Sequence, residues 1–184
     1  IDIVAHDDVY KRLKDSDTAK EGLPIITFND MLTFHLNGMD IKTRHYRSAH
    51  TDGDSIVYFE GKNVIHMADI MFNEAYPYVD VDGGGSWKGV LIAVKDTLNQ
   101  IDDQTKIIPG HGPLTDKAGL KIYYDVLMDI DSILRPLAEK GLPLDQVKKM
   151  APLKKYDADY GNGFMNPDTF LSIVYMDIYN HINR

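Results

Sequence analysis

The sequence predicts an α+β fold on three observations. Short apolar runs punctuated by turn residues fill the first half, helical apolar spacing fills the second, and one short strand lies between the two. The 184 residues are 43% hydrophobic and 26% charged, which suffices for one packed core and argues against a disordered chain. No linker, internal repeat or low-complexity tract divides them, so 1–184 reads as one domain.

Several function classes are disfavoured by composition. The net charge is −8 and the lysines and arginines are scattered, leaving no electrostatic footprint for nucleic acid. Without cysteine there is no disulfide or thiolate metal site, so any metal must be held by His, Asp or Glu. No apolar run approaches the roughly 20 residues of a membrane-spanning helix, and a soluble protein is expected. The first residues, Ile1-Asp2-Ile3-Val4-Ala5-His6, lack a methionine and read as the middle of a buried strand, which suggests a processed, proteolysed or engineered start.

Along the chain, a strand ends at His6, and Asp7 or Asp8 is expected to cap a short helix through Lys14. A polar loop over 16–24 is followed by strands at Ile25 to Phe28, Met31 to Leu36 and Met39 to Ser48, with Asn37-Gly38 as a hairpin turn. Ser55 to Phe59 and Asn63 to Ile70 extend the meander through a turn at Glu60-Gly61-Lys62. Gly83-Gly84-Gly85 leads to Ser86, a helix cap, and Trp87, Val90, Leu91, Val94 and Leu98 fall at helical spacing. A strand at Lys106 to Ile108 is expected next, then helices over Asp116 to Lys140, Leu144 to Met150 and Pro167 to Ile182, the last with proline in its first turn.

Three segments place a metal-capable side chain at a strand end, where scaffolded loops build sites. His50 opens the turn His50-Thr51-Asp52-Gly53-Asp54; alone, such a residue reads as an ordinary surface turn. Asp69 closes the apolar run His66-Met67-Ala68-Asp69, where burying a carboxylate requires a partner or metal, against the simpler reading of an exposed strand end. His66, three positions earlier, faces the other side and reads as a packed or hydrogen-bonded histidine. His111 lies between Gly110 and Gly112 after an apolar strand and Pro109, which is the most specific signal of the three.

The order of these motifs resembles the C-terminal portion of the metallo-β-lactamase fold superfamily, over nearly the whole chain. The tail, with Pro152-Leu153-Lys154-Lys155-Tyr156-Asp157 and Gly161-Asn162-Gly163-Phe164, is similar to a bacterial branch of it. The resemblance implies an αββα sandwich of mixed and antiparallel sheets with outer helices, incomplete at its N-terminus. It assigns His50 to a first zinc ion, His111 to a second, and Asp69 as the catalytic carboxylate bridging both. Two cations about 3.5 to 4 Å apart need shared negative charge, and a metal-bound water ionises near neutrality to supply a hydroxide nucleophile.

The sequence departs from the family in lacking its His-x-His motif and the following Asp-His pair; the seven histidines are widely spaced. The chain alone is therefore expected to hold zinc weakly or not at all. His45 and His181 read as structural or exposed, His35 as a hydrogen-bonded sheet residue, and His6 as packed, with approach to the site from its strand end as the alternative. Asp52 and Asp54 are candidates for orienting His50, a role compatible with the simpler reading of an Asx-type turn. Ser86 and Gly83 to Gly85 either border a cleft or merely start a helix.

The functional expectation is a metal-dependent hydrolase acting on an ester, amide or lactam bond of a small molecule, with a fragment as the form in hand. The alternative is a non-catalytic relic or interaction module, and a third reading is an unrelated α+β binding protein. Loss of N-terminal strands would expose a sheet, so a homodimer or a retained N-terminal piece is expected to cover it. The bacterial periplasm and the cytoplasm both remain open as locations.

Overall fold

The computed structural model describes residues 2–16 and 19–183. Part of the expected loop, at 17 and 18, lies outside the described residues. Strand β1 (Val4–His6) runs directly into helix α1 (Asp7–Asp15) and pairs in parallel with β2 (Ile26–Phe28). The expected cap on α1 is corrected: the imidazole Nδ1 of His6 accepts the Asp8 amide at 3.2 Å, leaving Asp7 and Asp8 in the first turn, where their charge complements the helix dipole.

A six-stranded mixed sheet forms the centre, in the order β3 (Met31–Leu36), β4 (Met39–His45), β5 (Ser55–Phe59), β6 (Val64–His66), β7 (Lys106–Ile108) and β8 (Thr115–Asp116). The meander is confirmed for β3 to β6, whose successive pairs are antiparallel. The run Ile25 to Phe28 does not join it, because β2 pairs with β1 in a separate two-stranded sheet. β6 is much shorter than the run Asn63 to Ile70. Ala68 adopts a left-handed backbone (φ 47°) and donates its amide to Nδ1 of His66 at 3.0 Å, so Ala68–Ile70 closes as a 3-10 turn instead of extending the strand. His66 is therefore a turn-forming residue.

Between β6 and β7 the chain crosses over through helix α2 (Trp87–Gln100), which allows those two strands to run parallel. Three further helices follow, α3 (Lys117–Glu139), α4 (Leu144–Met150) and α5 (Lys154–Tyr160), before α6 (Pro167–Ile182). α5 was not anticipated, since its seven residues carry too little periodicity to stand out.

The layers follow from strand alternation. On one face of the sheet, Arg44 pairs with Asp96 of α2 at 3.1 Å and the Tyr46 hydroxyl donates to the same carboxylate. On the other face, Ile41, Thr43 and Val57 look toward Val4, Ala5 and Phe28 of the small sheet across an apolar cavity of about 390 Å³. The core is densest on the helical side, where Trp87, Leu127, Ile130, Leu134, Phe170 and Val174 are almost completely buried. Ile25, Ile26, Met31 and Leu36 leave apolar surface exposed along β2 and β3.

Two polar arrangements within this frame make predictions. Trp87 donates its indole Nε1–H to Asp131 at 3.1 Å and its amide to Asp177 at 2.8 Å, while Arg135 forks onto Asp131 from the solvent side. Removing Asp131 strands the buried indole donor, whereas removing Arg135 leaves a carboxylate that the indole still satisfies. Asp131→Ala is expected to lower urea stability by roughly 1–3 kcal/mol, and Arg135→Ala by clearly less; equal losses would refute the assignment.

His45 stacks on His6 at 3.7 Å, with Asp8 nearby, and donates Nδ1–H to the Asp54 carbonyl at 2.9 Å. Burial holds its pKa below the ordinary imidazole value of 6.5, against smaller upward pulls from that carbonyl and from Asp54 and Asp8. The unfolded chain therefore takes up a proton below 6.5 that the folded chain resists, so this contribution is whole above pH 6.5 and is lost as pH falls through the lowered folded value. Urea titrations at pH 7.5 and 5.5 should show a larger loss for the natural chain than for His45→Gln; identical losses would contradict the buried neutral imidazole.

Candidate functional site

Strand direction decides where the three candidate side chains emerge. β4 and β6 are each antiparallel to β5 and so run the same way, and β7 is parallel to β6. The C-terminal ends of β4, β6 and β7 thus share one edge of the sheet, the edge at which α/β architectures build sites. His50, Asp69 and His111 lie just beyond those three ends. The β6–β7 register pairs His66 with Ile108, and three residues further along each chain stand Asp69 and His111.

The three side chains converge. His50 Nε2 lies 3.7 Å from Oδ2 of Asp69, and His111 Nε2 lies 3.3 Å from Oδ1. Each imidazole addresses a different oxygen of one carboxylate. The His50 side chain is 14% exposed, while Asp69 at 43% and His111 at 52% open to solvent. Among the described residues no group of three His, Cys, Asp or Glu side chains is disposed to hold one metal ion. The two imidazoles thus flank one carboxylate from different sides.

His50 is the most constrained of the three. Its Nδ1 lies 2.9 Å from the Tyr78 carbonyl, and because a carbonyl can only accept, Nδ1 carries a hydrogen and Nε2 is the ring nitrogen turned toward Asp69. The His50 backbone carbonyl accepts the Asp80 amide at 2.9 Å. Gly85 passes so close to that carbonyl that a Cβ there would lie 2.0 Å from the oxygen. The glycine triplet before α2 therefore serves the His50 loop directly, while Ser86 caps α2 by accepting the Gly89 amide and donates its hydroxyl to the Ser48 carbonyl.

The expectation that Asp52 or Asp54 orients His50 is corrected. Asp52 pairs with Arg12 of α1, and Asp54 accepts the amide and hydroxyl of Thr51, both at 2.9 Å. These contacts match the Asx-type turn. Burial pushes the Asp54 carboxyl above its ordinary pKa, with the Thr51 hydrogen bonds working in the opposite direction. The orienting group is the Tyr78 carbonyl, for which the sequence carries no signal because any residue supplies a backbone oxygen.

Asp69 and His111 are set by the contact between their turns. The Gly110 amide donates to the Ala68 carbonyl at 2.8 Å, and a side chain at 110 would lie 2.4 Å from both that carbonyl and Oδ1 of Asp69. His111 stacks on the buried ring of Phe72 at 4.4 Å, and its carbonyl accepts the Asn73 amide at 2.8 Å. Beside His50, the Tyr78 ring lies 5.4 Å away, its hydroxyl pKa raised by burial and by Asp80 and Asp82. The other histidines stay apart from this cluster: His35 pairs with Asp40 on the surface, and His181 bonds the Asp177 carbonyl.

Neither a protein-family model nor a curated protein sequence matches the chain. Solved structures do. The metallo-beta-lactamase from Pontibacter korlensis aligns with a TM-score of 0.59 at 17% identity, covering 70% of this chain and 58% of that one. The DIM-1 metallo-beta-lactamase aligns at 0.57 and 17% identity, over 71% and 59% of the two chains. The BLEG-1 B3 metallo-beta-lactamase gives 0.55 and 17%, over 69% and 65%. The chain thus spans 58% of the length of the Pontibacter enzyme. At such identities the likeness concerns architecture. Its mixed six-stranded sheet and flanking helices make this chain part of a metallo-β-lactamase fold.

Proposed function

We propose that the chain supplies part of the metal site of a hydrolase, with Asp69 shared between two zinc ions, one held by His50 and the other by His111. The observation carrying this reading is the placement of two imidazole Nε2 atoms against the two oxygens of one carboxylate, at 3.7 and 3.3 Å. The fixed tautomer of His50 adds to it, since a metal-ligating imidazole ordinarily donates its other ring N–H to an acceptor such as a backbone carbonyl. The donor set, imidazole and carboxylate without thiolate, suits zinc.

Bound there, zinc would supply an ionised water and polarise the bond to be cleaved. The chain's own residues do the positioning. Tyr78 fixes the His50 ring through its carbonyl, Gly110 brings the turn bearing His111 against Asp69, and Phe72 backs the His111 ring. A catalytic zinc ordinarily has three protein ligands, so one imidazole and a shared carboxylate would hold each ion weakly unless further donors join from elsewhere. The substrate proposed is a small molecule with an ester, amide or lactam bond. A catalytically inert chain that retains the architecture is the second reading, favoured by the absence of a three-donor metal group among the described residues.

Zinc competition against a chromophoric chelator, paired with hydrolysis of a chromogenic β-lactam, separates these readings. Weak uptake that falls more than about tenfold in Asp69→Ala, with His50→Ala and His111→Ala each reduced, supports the shared site. Any zinc-stimulated hydrolysis should vanish in the same variants. Uptake unaffected by Asp69→Ala would remove the site, and uptake through Asp69 with no hydrolysis by the zinc-loaded chain would favour the inert reading.

Gly110 offers an independent check. Gly110→Ala drives a methyl group against Oδ1 of Asp69 and is expected to weaken zinc uptake by at least about tenfold, within the range seen when groups supporting a ligand are removed. Undiminished uptake would show that the Asp69 turn is not held as described.

A further inference from the structure

Phe164 is the most exposed large apolar side chain described, at 77%. Its setting is nonetheless well anchored. Gly163 packs on Ala75, the Asn162 side chain bonds the Ala158 carbonyl, and the next residue, Met165, is buried. The Tyr76 amide donates to the Tyr160 carbonyl at 2.9 Å, tying the end of α5 to the segment that carries Tyr78. A singly exposed apolar ring is ordinary on a protein surface, and what sets this one apart is its position.

The ring stands beside the candidate site. Phe164 meets Tyr78 edge-on at 6.2 Å, and Tyr78 meets His50 edge-on at 5.4 Å. Tyr78 is also the residue whose carbonyl fixes the His50 tautomer. A continuous aromatic rim therefore runs from His50 outward to solvent.

We propose that Phe164 and Tyr78 form a specificity platform that receives an apolar, aromatic or branched aliphatic, substituent of the substrate, while the bond to be cleaved faces Asp69. This rests on the hydrolase reading of the site, and Phe164 acts as a specificity-determining residue without taking part in bond cleavage. Covering the exposed ring with the substituent buries apolar surface on both partners, which makes discrimination between substrates with and without such a group about tenfold.

The test uses two uncharged probes, phenylacetamide and acetamide, titrated into the 184-residue protein with and without zinc and followed through the backbone amide signals of residues 78 and 162–165. The natural protein should bind phenylacetamide at least about tenfold more tightly than acetamide. Phe164→Ala should lose that preference and Phe164→Leu retain most of it, with zinc uptake the same in all three proteins. A preference that survives in Phe164→Ala, or no detectable phenylacetamide binding by the natural protein, overturns the platform. Zinc uptake that ignores Asp69 overturns the hydrolase reading instead, and does so whichever way the probe titrations fall.

Discussion

The parallel pairing of β6 with β7 is the constraint on which the site depends. It aligns His66 with Ile108, so that Asp69 and His111, each three residues further on, leave the sheet side by side. The core holds that register, because Ile65 and Ile107 are paired in it and both are buried. A slip of one residue would turn every side chain of β7 to the opposite face and carry His111 away from Asp69. The crossover through α2 makes the parallel pairing possible, and the same connection brings the Tyr78 carbonyl to His50.

Close backbone packing completes the arrangement. Gly85 lies against the His50 carbonyl and Gly110 against Ala68 and Asp69, at distances that leave no room for a methyl group. The site is assembled from turns brought together by main-chain hydrogen bonds, with side chains added where strands end. Solvent exposure of Asp69 and His111 leaves the Asp69 carboxylate accessible, whereas His50 is largely buried and held through its ring by the Tyr78 carbonyl.

Much of this was legible in the residues. Asn37-Gly38 marked the β3–β4 hairpin, the apolar spacing of Trp87 to Leu98 marked α2, and the glycines around His111 marked a turn at a strand end. His50, Asp69 and His111 were singled out in sequence, and the structure brings them together. Other features left no trace. The early end of β6 depends on a left-handed alanine and on the His66 ring accepting an amide, neither of which composition announces. The partition of β2 into a second sheet is a tertiary choice, since its short apolar run would suit either sheet. Asp52 and Asp54 were plausible partners for His50 by proximity, but the Arg12 and Thr51 contacts occupy them.

The central claim is that Asp69 is one carboxylate serving two imidazole-bound metal positions. Anomalous diffraction at the zinc edge from crystals of the protein soaked in zinc tests it most directly. The account predicts anomalous peaks within bonding distance of the Asp69 oxygens, flanked by Nε2 of His50 on one side and Nε2 of His111 on the other. Zinc bound elsewhere, with His50 and His111 left free of metal, would contradict it.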